Sequence, residues 1–174
     1  AKSSYSLEEG NPRGSCPLGF PSSRPPPLLN PYWGGQRRYP IVKELNYKAD
    51  SAESKPAHYL PIYQRYFAEI AAPKPVILEM GVHRGDSLEM LADYFPAALV
   101  LGVDAEPPQR VWSTPRIKAY QGLQDDAALY ERIMAENAID YFDLIIDDCA
   151  HIGSTAAASF RILFPRLKAG GFYI

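Results

Sequence analysis

Asp147-Asp148-Cys149-Ala150-His151 puts two carboxylates and an imidazole directly after the apolar run Phe142-Asp143-Leu144-Ile145-Ile146. Neighbouring carboxylates repel each other, so burying both favours a cation between them or a proton kept on one. Hard oxygen ligands of this kind suit Mg²⁺, with water or substrate oxygens completing an octahedron. Histidine titrates near neutrality and can take a proton from a hydroxyl. Either aspartate could instead cap the next helix, and His151 could bond to backbone. Taken together at the end of a buried strand, the three read as metal and acid–base chemistry. Asp147 and Asp148 are the expected metal ligands, and His151 and Asp147 the expected catalytic residues.

A second stretch supplies a place for a cofactor. Val76-Ile77-Leu78-Glu79-Met80 is an aliphatic run of the sort that forms a buried parallel strand, and it breaks through Gly81 and Gly85 into a helix. Asp86 and Glu89 have the spacing of a capping box, while Leu88, Leu91 and Phe95 share one helical face. Glycines at such a corner let backbone approach a ligand and aim free N–H groups at it. The spacing Glu79-x-Gly81-x-x-x-Gly85 is not the G-x-G-x-x-G of a dinucleotide site. A second buried strand, Leu99-Val100-Leu101-Gly102-Val103, ends at Asp104. At that separation from the first glycine, a carboxylate can accept from both ribose hydroxyls. Glu106 is the rival for this role.

The elements that must position these groups follow from periodicity and breakers. Tyr59, Ile62, Tyr63, Tyr66, Phe67 and Ile70 recur at helical spacing between Pro56 and Ala71, predicting a helix with an aromatic buried face, with Pro61 in its first turn. His58 is either a helix-start residue or one that faces a ligand. Arg116–Tyr120 reads as a third, more exposed strand, and a helix to about Asn137 turns Leu129, Ile133 and Met134 inward. After His151, a helix places Ala156, Phe160, Leu163, Phe164 and Leu167 at core spacing, and Lys168-Ala169-Gly170-Gly171 reads as its stop before a fifth strand. Strands alternating with helices predict an α/β domain, a Rossmann-like three-layer sandwich around a mostly parallel sheet.

Composition bounds the function. One domain is the prior for 174 residues, and 47% hydrophobic content supplies a core. A net charge of −2 argues against a nucleic-acid or membrane-surface binder. No apolar run reaches the length of a membrane span, and the amino terminus is no signal peptide. Cys16 and Cys149 lie too far apart in sequence for a metal spacing, so no disulfide framework is expected and a reducing cytoplasm is the expected setting. Residues 1–50 carry Pro12, Pro17, Pro21, Pro25-Pro26-Pro27 and Pro31 and read as a tail. Leu28, Leu29, Tyr32, Trp33 and Tyr39 would also allow an arm lying across the domain of residues 51–174 or across a partner subunit, as in a homo-oligomer.

The motifs in order carry a resemblance. Glu79-x-Gly81-x-x-x-Gly85 resembles the first motif of the class I S-adenosylmethionine-dependent methyltransferases, with His83 where a middle glycine is usual. Gly102-Val103-Asp104, the Asp143-to-His151 run, Leu163-Phe164-Pro165-x-Leu167-Lys168-x-Gly170-Gly171 and the earlier His58-Tyr59-x-x-x-Tyr63 are together similar to the metal-dependent sugar O-methyltransferases of glycosylated natural products, the macrolide type included. The resemblance covers roughly residues 55–174. It implies S-adenosylmethionine and Mg²⁺ as cofactors, a hydroxylated, sugar-bearing small molecule as acceptor, and Glu79, Gly81, Gly85 and Asp104 around the donor. A polar residue after the third strand would reach the adenine: Gln124 and Asp125 are the candidates, with Asp126 beside them, and either aspartate could equally cap the helix. Leu123 stands where a strand-end acid is common. The resemblance also implies further strands and an acidic metal ligand just after the fifth, so the natural gene is expected to continue beyond Ile174. Two other functions fit less well: a nicotinamide oxidoreductase, and a binding module that keeps the fold without catalysis.

Overall fold

The computed structural model describes Leu45, Tyr47 and residues 58–174. The expected arm over residues 1–50 lies outside them apart from Leu45 and Tyr47, as do Cys16 and Pro56. In chain order the elements are α1 (Tyr59–Phe67), β1 (Val76–Met80), α2 (Asp86–Tyr94), β2 (Leu99–Asp104), β3 (Ile117–Gln121), α3 (Ala127–Asn137), β4 (Phe142–Asp147), α4 (Gly153–Leu163), a 3-10 turn (Phe164–Arg166) and β5 (Leu167–Tyr173).

All strand pairs are parallel, in the order β3-β2-β1-β4-β5. Met80 of β1 stands level with Val103 of β2 and Asp147 of β4, and Asp104 with Gln121 of β3. This register brings the glycine loop, the end of β2 and the Asp147–His151 turn to one edge of the sheet. Strand order reverses between β1 and β4, which is where ligands settle on such sheets.

Period-two alternation divides the core. Ile77, Val100, Leu144 and Ile146 face Tyr63, Phe67, Leu88 and Leu91 of α1 and α2. Leu78, Met80, Leu101, Val103 and Ile145 face Leu129, Tyr130, Ile133 and Leu163 of α3 and α4, and Phe142, out of phase with the alternation at the start of β4, joins them. Central strands buried on both faces explain their largely apolar runs, which Glu79 in β1 and Asp143 in β4 interrupt. Leu45 and Tyr47 pack into the first of these faces.

Several expectations change. In α1, Tyr63 and Phe67 are buried and stacked on each other, but Ile62 is exposed. A nine-residue helix lying on one face of a sheet hides a narrower stripe than six apolar positions would fill. In α4 the inward stripe is Ser159 and Leu163, whereas Phe160 and Phe164 are exposed and stack on each other, with Phe160 edge-on to Tyr173. The glycines after Pro165 are not a helix stop. The 3-10 turn carries Pro165 near its start, and β5 begins at Leu167 with a register shift against β4. Gly170 adopts a left-handed φ of 83° there, and a Cβ on Gly171 would stand 2.7 Å from the Asp143 carbonyl, so both serve the irregularity.

Candidate active site

The glycine loop is held by acids on either side. Gly81 has φ 86°, and a Cβ there would lie 2.1 Å from the carbonyl oxygen of Asp148, so the β1 and β4 loops touch backbone to backbone. Beneath them Glu79 is fully buried and accepts from Ser87 Oγ at 2.6 Å. Asp104 accepts from the N–H of Val82 at 2.8 Å and of His83 at 2.9 Å through Oδ2, and from the Glu106 N–H at 2.9 Å through Oδ1. A carboxylate offers about four lone-pair directions. Three are therefore taken by backbone, and Asp104 fixes the shape of the loop at the end of β2. Glu106 is exposed beside it. His83 has φ 47°, the left-handed conformation that a middle glycine would otherwise supply; histidine is among the residue types enriched there.

Gly85, with φ 83°, is the N-cap of α2, so the expected capping box does not form. A left-handed N-cap glycine has no side chain to accept from the first turn, and Asp86 and Glu89 are drawn to another partner. Arg110 donates to Asp86 at 3.0 Å, to the Arg84 carbonyl at 3.2 Å and pairs with Glu89 at 2.6 Å, while its guanidinium lies 5.2 Å above the Trp112 ring. That ring covers Gly85.

At β4 the adjacent aspartates separate. Alternation along the strand turns Asp147 to the α3–α4 face, where Oδ1 accepts from Gln124 Nε2 at 3.3 Å and Oδ2 accepts from Ser159 Oγ and from the Tyr173 hydroxyl, each at 3.0 Å. Both oxygens expected to bind a metal are thus met by protein donors. Burial, with the Asp147 charge adding to it, pushes the Tyr173 phenol up to about 12, so it stays protonated and donates. Asp148 lies past the strand, partly exposed, with His151 Nε2 3.7 Å from its Oδ1, longer than a hydrogen bond. His151 is 75% exposed and left-handed, with φ 52°. The structure brings Asp148 and His151 side by side and sets Asp147 behind them.

Gln124 is 4% exposed and does not face outward as an adenine contact would. Its Nε2 also donates to Ser159 Oγ at 3.2 Å, and its Oε1 accepts from the Ala150 N–H at 3.0 Å. Asp126 caps α3, accepting from the N–H of Ala128 at 3.0 Å and of Leu129 at 3.2 Å, which leaves Asp125 exposed next to it. Ser159, Tyr173 and Ser87 escaped the sequence reading. A lone serine in an inward alanine-rich stripe was the available sign for Ser159; Tyr173 has no such sign. The Tyr130 hydroxyl donates to the Gln124 carbonyl at 2.9 Å in a fully buried setting. Tyr130→Phe is expected to cost about 1–3 kcal/mol, because that carbonyl loses its donor. Urea denaturation of parent and variant measures it, and equal midpoints would contradict the bond.

No protein-family model matches the chain. The sequence is 35% identical over 123 residues to the 8-demethyl-8-(2-methoxy-alpha-L-rhamnosyl)-tetracenomycin-C 3'-O-methyltransferase of Streptomyces olivaceus, covering 67% of this chain and 31% of that protein. It is 32% identical over 145 residues to the mycinamicin VI 2''-O-methyltransferase of Micromonospora griseorubida, covering 79% and 36% respectively. The solved MycE methyltransferase from the mycinamycin biosynthetic pathway, in complex with Mg, SAH and mycinamycin VI, superposes with a TM-score of 0.63 at 33% identity, covering 78% of this chain and 36% of that one. The chain spans about a third of the length of the curated relatives it matches. A parallel sheet in this order, a glycine loop at its switch point and these relatives place the chain in the class I S-adenosylmethionine-dependent methyltransferases. Within that class its similarity is to the sugar O-methyltransferases of macrolide and tetracenomycin pathways.

Proposed function

We propose that the protein transfers the methyl group of S-adenosylmethionine to a hydroxyl on the sugar of a glycosylated natural product. The observation that carries this reading is the pairing of Asp148 with an exposed His151 at the end of β4, against the glycine loop where strand order reverses. The donor would lie over Gly81 and the Asp104-held loop, with Asp104 or Glu106 toward its ribose. The acceptor oxygen attacks the methyl carbon in line; the O–CH₃ bond forms as the S–CH₃ bond breaks, and the sulfonium leaves as a neutral thioether. His151 takes the hydroxyl proton. Alignment of the two reactants and removal of that proton are the contributions of this chain.

Among the described residues no group of three or more His, Cys, Asp or Glu is arranged to hold a metal ion. Mg²⁺ is commonly held by one or two carboxylates with water filling its other positions, and Asp148 offers such an oxygen beside His151. Asp148 would therefore hold it, with Asp147 supporting from behind. A bound Mg²⁺ supplies Lewis-acid stabilisation of negative charge developing on the acceptor oxygen. Among the described residues no helix is long and apolar enough to cross a membrane.

The first turn of α2 argues for this donor over a dinucleotide. A pyrophosphate would sit on that helix N-terminus, where the two carboxylates of Asp86 and Glu89 outweigh the single positive charge of Arg110. Calorimetric titration separates the readings: S-adenosylmethionine should bind and NAD should not. Binding of NAD alone would overturn the assignment, and binding of neither would favour a non-catalytic module.

A further inference from the structure

We propose that Gln124 is a positioning residue that sets the attitude of the Asp148–His151 turn by bridging Asp147 and the Ala150 backbone. Its place in the mechanism rests on the methyltransferase reading above; the bridge itself does not. Gln124 enters from the loop after β3, and its amide is used at both ends. The nitrogen donates to Asp147 Oδ1 and Ser159 Oγ, and the oxygen accepts from the Ala150 N–H. Asp147 ends β4 and Ala150 directly precedes His151, so one planar amide spans the stretch that carries Asp148 and leads into His151.

The chemistry admits few substitutes. A carboxylate in its place would set acceptor against acceptor at Asp147, and an apolar side chain would leave the Ala150 N–H and the Asp147 oxygen each short of a partner. The amide is itself anchored: its backbone carbonyl takes the Tyr130 hydroxyl, and Asp147 is held from the other side by Tyr173. His151 sits in the left-handed region, a conformation that a non-glycine residue keeps only when its surroundings impose it. The bond to Ala150 is such a constraint, one residue away. Groups that support a ligand from behind in this manner are typically worth about 10–100-fold in metal affinity or activity.

The test uses Gln124→Met, close in length and volume but without polar ends, and Gln124→Glu, which keeps the acceptor for Ala150 and loses the donor to Asp147. In Gln124→Met the Ala150 amide should lose its protection from hydrogen exchange. The kcat should fall about 10–100-fold, with the Kd for S-adenosylmethionine unchanged; a merely structural role would not produce that split. Gln124→Glu should keep most of the Ala150 protection and lose part of the rate. In the parent, the Gln124 side-chain NH₂ protons should exchange slowly with solvent. Fast exchange of those protons, or an Ala150 amide as protected in Gln124→Met as in the parent, would overturn the bridge. Loss of Ala150 protection with kcat unchanged would leave the bridge standing and count against the proposed role of the Asp148–His151 turn.

Discussion

Replacing His151 is expected to lower turnover about 10²–10⁴-fold, the usual contribution of a positioned general base, without loss of the fold. The side chain is 75% exposed, so its removal opens no buried cavity. Alanine is not the cleanest replacement, because φ is 52° and asparagine tolerates that region better. His151→Asn should therefore retain parental stability and parental donor affinity while losing the rate. The deficit should shrink as pH rises, since hydroxide can take the proton that the imidazole no longer accepts. Turnover measured against pH for parent and His151→Asn decides the matter. An unchanged rate per folded molecule would remove His151 from the mechanism, and a variant that lost rate only in proportion to lost stability would make it structural.

Gly81→Val is expected to destabilise the domain by about 4 kcal/mol or more, at the extreme of single substitutions. Two costs combine there. A β-branched residue at φ 86° is a genuine backbone outlier, and the new Cβ would meet the carbonyl of Asp148 at 2.1 Å. That neighbour is backbone, held by the Asp148 N–H bond to the Met80 carbonyl at 3.0 Å, and cannot swing aside. Gly85→Val makes the contrast. Its φ of 83° carries a similar strain, about 1–3 kcal/mol, but the collision is with the end of the Trp112 ring, which can move. Gly85→Val should therefore fold and bind S-adenosylmethionine more weakly, while Gly81→Val should fail to reach the native state at moderate urea. Equal urea midpoints for the two variants would mean that the β1 and β4 loops do not meet as described.

The two glycines look alike in the sequence, and they illustrate what a linear pattern can carry. The strands β1, β2 and β4 were legible because a strand buried on both faces has little room for polar side chains, so its run is mostly aliphatic, with Glu79 and Asp143 as buried exceptions. The helices were legible from the 3.6-residue period, and the corner after β1 from its glycines. The glycine corner, Asp104 at the end of β2 and the Asp148–His151 spacing all follow from local order and short-range geometry. Their assembly at one edge, with strand order reversing beside them, follows from parallel pairing once the strands are known.

Only the tertiary structure divided the labour among the polar groups. Asp147 and Asp148 are chemically identical neighbours, yet one ends a strand whose alternation turns it toward α4 and β5, and the other begins a loop. Gln124, Ser159 and Tyr173 reach Asp147 from 12 to 26 positions away in sequence, along contacts that no period records. The same holds for Phe160 and Phe164, which are apolar and helical in spacing but lie outside the buried stripe of Ser159 and Leu163. Residue type and spacing fix which groups are available and which element bears them. Which donor each acceptor finds depends on how the faces of those elements are packed, and that is decided by the whole core at once.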